Sequence, residues 1–116
     1  YPGVLEALRT HGLDLKPISC GGENELRQER EQWSSGANFF AFAPGHILGF
    51  EHNQATAEDL AKNGFEIVTP DQVINDEHTL KPGQATLVTM SGSELSRGGG
   101  GCRCMTMPLN RNAVNW

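Results

Sequence analysis

Two short apolar runs, residues 38–43 (NFFAFA) and 46–50 (HILGF), are separated by nothing but Pro44-Gly45. Proline fixes φ at one corner of a tight turn and glycine tolerates the other, so the backbone must double back and the pair predicts a β-hairpin. The residues that follow narrow the choice further. From Asn53, with Thr56 as a second candidate N-cap, through Leu60 to Lys62 the pattern is helical, and Asn63-Gly64 supplies the stop. Residues 65–69 alternate as a short strand before Pro70, and residues 85–90 are β-branched enough for another. Upstream, Val4, Leu5 and Leu8 lie at helical spacing before Gly12, and Leu13, Leu15 and Ile18 alternate with polar neighbours. That pattern predicts a short helix feeding a strand. Residues 24–33 are charged almost throughout, with Leu26 and Trp33 two turns apart on one face, and predict a solvated helix whose charges need no ligand. Residues 71–82 are polar apart from Val73, Ile74 and Leu80 and read as a loop or small insertion. The order of elements favours a mixed α/β unit over an all-α or all-β one, without a fixed-period repeat.

A chain of 116 residues has room for one modest core, and 37% hydrophobic residues together with 14 glycines are ordinary for a globular domain. The net charge of −5 has the wrong sign for neutralising phosphates, which argues against nucleic acid and anionic membrane surfaces as partners. The longest apolar region is interrupted by Pro44, Gly45 and His46, too soon for a membrane-spanning helix. Three cysteines are an odd number in a chain that is not cysteine-dense, so a reducing compartment, the cytoplasm, is expected in preference to a disulfide framework. Tyr1-Pro2-Gly3 has neither an initiator Met nor the regions of a signal peptide and reads as the cut edge of something longer.

Chemistry concentrates in residues 91–109, SGSELSRGGGGCRCMTMPL, where four successive glycines run directly into two cysteines. Such a run either spans an exposed linker or lines a tight pocket that other atoms approach closely. Cys104 follows Arg103, and nearby positive charge with inward-facing backbone N–H groups raises the thiolate fraction of a thiol. On these grounds one of the two cysteines is a nucleophile or both are small buried thiols. A metal module built from Cys20, Cys102, Cys104 and a histidine is disfavoured, since Cys-x-Cys is tighter than zinc spacing and no second pair is near; neither metal nor cofactor is expected.

The same segment resembles the closing segment of arginine deiminases, down to the aromatic C-terminus a few residues later. A second block agrees: Gly36-Ala37-Asn38-Phe39, Ala43-Pro44-Gly45 and Gly49-Phe50-Glu51-His52-Asn53 are similar to that family's Gly-x-Asn, Pro-Gly and Gly-Tyr-x-Arg-Asn pattern. Both blocks stand in the family's order, and the likeness covers roughly residues 15–116. It implies part of an α/β-propeller, the pentein fold of repeated ββαβ units, to which residues 1–116 contribute a single C-terminal segment. It also implies that Cys104 attacks the guanidinium carbon of L-arginine, that ammonia leaves, and that water releases citrulline from the amidino-cysteine. Cys102 is then a neighbour of the nucleophile. Asn38 matches an asparagine that helps hold the substrate, Gly98 a loop glycine lying against it, and Arg97 a loop arginine.

Departures accompany the match. Gly99 stands where many members carry a second arginine, Phe50 and His52 replace a tyrosine and an arginine, and residues 71–89 are longer than the family's connection. The family's His-x-Asp motif and guanidinium-binding carboxylates belong upstream, and none of His11, His46, His52 or His78 stands in that context. The resemblance therefore implies a chain that needs the remainder of its parent enzyme and is inactive alone. Agmatine, methylarginine or peptidyl-arginine hydrolysis and a non-catalytic arginine-binding role stand as alternatives, and a homo-oligomer is compatible with all of them.

Overall fold

The computed structural model describes residues 3–113; the aromatic C-terminus invoked above, and Tyr1-Pro2, lie outside them. The turn at Pro44-Gly45, with Gly45 at φ 79, joins β1 (Phe40–Ala43) to β2 (His46–Phe50) in an antiparallel pair with Phe40 opposite Leu48. Helix α3 (Gln54–Lys62) follows and ends at Asn63, after which Gly64 takes the left-handed conformation at φ 92 that a side chain would resist. The chain returns as β3 (Glu66–Val68), crosses over and enters the sheet again as β4 (Thr86–Met90).

β4 does not add to an edge. It inserts between β2 and β3, parallel to both, giving the order β1-β2-β4-β3 in a mixed four-stranded sheet. A central parallel strand is covered on both faces, and Thr86, Leu87 and Val88 are all buried. Phe50, Val68, Cys102 and, from α3, Ala55 and Leu60 complete the core among the described residues. Burying each of the larger of these side chains contributes about 1.5–3 kcal/mol. The fold is thus a small α/β unit whose second half has the expected hairpin, helix and strands. Among the described residues no helix is long and apolar enough to cross a membrane.

Three local expectations are corrected. Helix α1 (Val4–Thr10) forms, but residues 13–19 make no strand: Leu13 and Leu15 are half exposed, and Pro17 lacks the N–H a ladder would need. Helix α2 (Glu25–Trp33) forms with Asn24 accepting from the Arg27 N–H, but it is not solvated throughout, because Glu31 is fully buried. The presumed loop begins with a short helix, α4 (Pro70–Ile74), whose start is a capping box. Thr69 Oγ1 accepts from the Gln72 N–H at 3.4 Å and Gln72 Oε1 accepts from the Thr69 N–H at 2.8 Å, with Pro70 at the first helical position. Beyond it, His78 Nδ1 lies 3.3 Å from Glu66 Oε1, and Gln84 Nε2 donates to the other oxygen, so the insertion is fastened to β3.

Strand direction locates the site. β1 runs against β2 while β2 and β4 run together, so the start of β1 and the end of β4 emerge at the same edge of the sheet. The loop carrying Asn38 and the glycine-rich segment after Met90 therefore meet.

Candidate active site

The loop from α2 to β1 is held from beneath. Glu31 reaches from α2 to the N-terminus of α3, where its carboxylate accepts from the Ala55 N–H at 2.9 Å, the Thr56 N–H at 2.8 Å and the Thr56 hydroxyl at 2.7 Å. These are the donors a helix start leaves without partners, and Glu31 does the capping expected of Asn53. Asn53 is the residue before the helix, but its side chain exchanges hydrogen bonds with Ser34 instead. Burial pushes the Glu31 carboxyl upward; the Thr56 hydroxyl, the two N–H groups and Arg30 together outweigh it and hold the carboxyl below its ordinary range. After α2 the chain turns through Ser35, in the left-handed region at φ 61, and the Gly36 N–H donates to the Glu31 carbonyl at 2.7 Å. A Cβ on Gly36 would lie 2.7 Å from Cys20 Sγ and 2.8 Å from that carbonyl, so only glycine fits.

On this support Asn38 faces the second segment. Its Nδ2 donates to Cys104 Sγ at 2.8 Å, across 66 positions of sequence. The approach depends on Gly101, where a Cβ would stand 2.6 Å from Asn38 Cβ and 3.0 Å from its carbonyl oxygen. The Arg103 N–H donates to that carbonyl at 3.4 Å, and the Met105 N–H to the Gly101 carbonyl at 3.2 Å, closing a turn around the thiol. Cys104 is exposed and its thiol lies below the ordinary 9.0, first because of the Asn38 amide, then the Gly101 backbone, and least because of Arg103. Cys102, two residues away, is buried, and burial pushes its thiol up. The two cysteines are thus chemically opposite: Cys104 is the accessible thiolate former and Cys102 a packed neighbour.

Cys104, Asn38 and Arg103 open onto a cleft of about 740 Å³ whose other wall carries Gln28 and Gln32 from α2 with Ser19 and Ser35. No carboxylate lines it among the described residues, and no group of three or more His, Cys, Asp or Glu there could hold a metal ion.

The family model for arginine deiminase matches residues 4–111. The chain belongs to the arginine deiminase family. It is 38% identical to the arginine deiminase of Mycoplasma capricolum subsp. capricolum over 100 residues, which is 86% of this chain and 20% of that protein. Against the arginine deiminase of Listeria monocytogenes serotype 4a the identity is 40% over 93% of this chain and 21% of the relative. For that of Clostridium perfringens it is 39% over 84% and 19%. The chain spans about a fifth of the length of these relatives.

Of the residues matched to the arginine deiminase pattern by sequence, Asn38 and Cys104 lie together at the cleft. Arg97 and Gly98 do not line it: both belong to the short 3-10 turn Leu95–Gly98, and Arg97 Nη1 pairs with Glu94 Oε2 at 3.1 Å in solvent. His46 is buried with its ring stacked 6.0 Å from that of Phe42, while His52 stacks 5.2 Å from Phe50, with Nε2 3.3 Å from the Ser34 carbonyl; neither lines the cleft. Sequence reasoning missed the glutamine wall and Glu31. The spacing of Gln28, Glu31 and Gln32 on one helix, at i, i+3 and i+4, was the available signal for both.

Proposed function

We propose that this chain is the C-terminal, nucleophile-bearing part of a larger enzyme that hydrolyses L-arginine to L-citrulline and ammonia. The observation that carries the reading is the Asn38 amide donated to Cys104 Sγ at 2.8 Å at the mouth of an open cleft, on a thiol lowered toward its ionised form. A thiolate is the attacking species, and its stabilisation by a fixed amide is what nucleophilic catalysis asks of the site.

In this reading Cys104 Sγ bonds to the guanidinium carbon, and the bond to one terminal nitrogen breaks as that nitrogen takes a proton and leaves as ammonia. Water then adds to the same carbon, the carbon–sulfur bond breaks, and citrulline departs from a regenerated thiolate. Asn38 holds the sulfur and borders the substrate, while the substrate-binding role that the family pattern gives Arg97 and Gly98 requires their turn, which does not line the cleft in this chain, to be brought over it in the parent enzyme. The cleft wall of this chain holds no carboxylate among the described residues, so the groups that clasp the cation and move protons come from the remainder of the parent chain. The mixed sheet is one ββαβ unit and part of another in a pentein ring whose centre is the active site. The free thiols suit a reducing compartment such as the cytoplasm.

The test is citrulline release from L-arginine by the full parent chain, with Cys104→Ala as control and the 116-residue chain alongside. Turnover by the parent that vanishes with Cys104→Ala and is absent from the short chain is expected. Steady turnover by the short chain refutes the division of labour, and a parent that hydrolyses agmatine, methylarginine or peptidyl-arginine in place of arginine refutes the substrate.

A further inference from the structure

Cys20 has no role in the hydrolysis assigned to Cys104, yet it shares its cavity. Of the three described thiols Cys102 is packed in the core, while the partly exposed Cys20 and the exposed Cys104, distant in sequence, both line the cleft. Each sulfur is anchored to the same loop. Cys20 Sγ fills the space left by the missing side chain of Gly36, where a Cβ would stand 2.7 Å from it, and Cys104 Sγ accepts from the Asn38 amide at 2.8 Å. Gly36 and Asn38 are two residues apart, a span of at most about 7 Å, so the two sulfurs hang from neighbouring points. Cys20 is the fixed partner. Its Sγ lies 3.5 Å from the Thr56 hydroxyl, the Gly21 N–H that follows donates to Thr56 Oγ1 at 2.8 Å, and a Cβ on Gly21 would fall 2.4 Å from the Gln28 Cα. Cys104 is the movable one. It follows Gly98 and Gly99, whose missing side chains leave nothing within 4 Å, and Gly99 takes the left-handed φ of 81. The cleft also suits an oxidised, anionic Cys104: no carboxylate lines it among the described residues, and the Asn38 amide already donates at the sulfur.

We propose that Cys104 and Cys20 form a peroxide-modified dithiol site, in which Cys104 is oxidised and Cys20 resolves it as a disulfide across the cleft. In the first step the Cys104 thiolate attacks one oxygen of hydrogen peroxide; the S–O bond forms, the O–O bond breaks, and the departing hydroxide takes a proton and leaves as water. The sulfur loses two electrons and the peroxide gains them. In the second step Cys20 Sγ attacks the Cys104 sulfur, the S–S bond forms, the S–O bond breaks, and the Cys20 thiol proton leaves with the oxygen as a second water. A disulfide needs its two Cα atoms within about 7 Å, so closing the bond moves the Cys104 turn toward Cys20 and off the Asn38 amide. Turnover that depends on the free thiol then stops until a dithiol reductant reverses the exchange, and the bond shields Cys104 from irreversible sulfinic acid. Transient disulfides of this kind are the ones a reducing compartment permits. This chemistry belongs to the thiols themselves and does not depend on which guanidine is hydrolysed.

The experiment treats the full parent chain and its Cys20→Ser and Cys102→Ser variants with hydrogen peroxide, maps their peptides by mass spectrometry, and follows citrulline release before and after dithiothreitol. A Cys20–Cys104 linked peptide pair is expected in the wild type and in Cys102→Ser, with turnover falling about tenfold or more as the link accumulates and returning with dithiothreitol. In Cys20→Ser the link is absent, Cys104 is found as sulfinic acid, and dithiothreitol restores little. A Cys102–Cys104 link in place of the expected one, or sulfinic acid forming on Cys104 as fast in the wild type as in Cys20→Ser, overturns the proposal. The wild-type map decides between the two links whether or not the Cys20→Ser variant folds. Because the map needs no turnover, a parent that forms the link but releases no citrulline refutes the hydrolase reading and leaves the dithiol site standing. A parent that turns over arginine and forms no link does the reverse.

Discussion

Replacing Glu31 by glutamine removes one charge and one acceptor while keeping the shape of the side chain. Three donors converge on that carboxylate, the Ala55 N–H on one oxygen and the Thr56 N–H and hydroxyl on the other. An amide has a single acceptor oxygen. If it serves Thr56, the new NH₂ group faces the Ala55 N–H, donor against donor, and a buried unsatisfied group of this kind costs about 1–3 kcal/mol. The lost charge at the helix start adds a few tenths, so local opening becomes easier by about 2 kcal/mol, or about 30-fold. Hydrogen exchange over a peptide containing Ala55 and Thr56 in the parent chain reads this directly, with Glu29→Gln, exposed on the same helix, as control. The pH dependence has a defined sign. The Glu31 carboxyl lies below its ordinary 4.5 in the folded protein, so its contribution is complete above 4.5 and disappears as pH falls through the folded value. The gap between wild type and variant should be full at neutral pH and close in acid. Equal exchange at neutral pH, or a gap that persists unchanged into acid, would show that the carboxylate is not the cap described.

Among the three thiols, iodoacetamide should label Cys104 first and Cys102 last at neutral pH, because one is exposed and lowered and the other buried and raised; mass spectrometry of partial digests decides it. Asn38→Ala should move the labelling profile of Cys104 to higher pH, and an unchanged profile would remove the amide from the explanation. Gly101→Ala should separate Asn38 from the sulfur, since the added carbon would lie 2.6 Å from Asn38 Cβ, and parent activity should fall with Cys104 still exposed to alkylation. Gly49→Ala drives a methyl to 2.8 Å from the Phe39 ring and 3.1 Å from Leu87; a loss of about 1–3 kcal/mol in thermal or urea unfolding is expected, and a neutral result would mean the sheet yields there.

What could be read in the sequence was what the chain punctuates locally. The hairpin, α3 and β3 each carry their own turn or stop, at Pro44-Gly45, Asn63-Gly64 and Pro70. The box that starts α4 was equally local, as Thr69, Pro70 and Gln72 in register, but the polarity of the residues beyond masked it. Alternation at Leu13, Leu15 and Ile18 promised a strand, and alternation does not say whether an edge is free to receive one. The buried Glu31 depends on a helix 24 positions away, and the insertion of β4 between β2 and β3 on pairings no window contains. The site divides in the same manner. Cys104 announces itself by its glycines, whereas the amide that tunes it lies 66 residues upstream and was reached only through a family pattern. That the cleft holds amides and alcohols but no carboxylate among the described residues depends on α2 and the Arg103 turn lining one cavity, more than 70 positions apart in sequence.

β4 is hydrogen-bonded to β2 on one side and β3 on the other, and β2 and β3 are not neighbours. Until β4 has been synthesised β3 has no ladder with the β1–β2 hairpin, and the residues that follow β4 include the thiol. During translation the sheet is therefore closed by the same stretch of messenger that encodes the reactive sulfur. A product cut short before that stretch lacks both the strand that joins β3 to the hairpin and the thiol that faces Asn38.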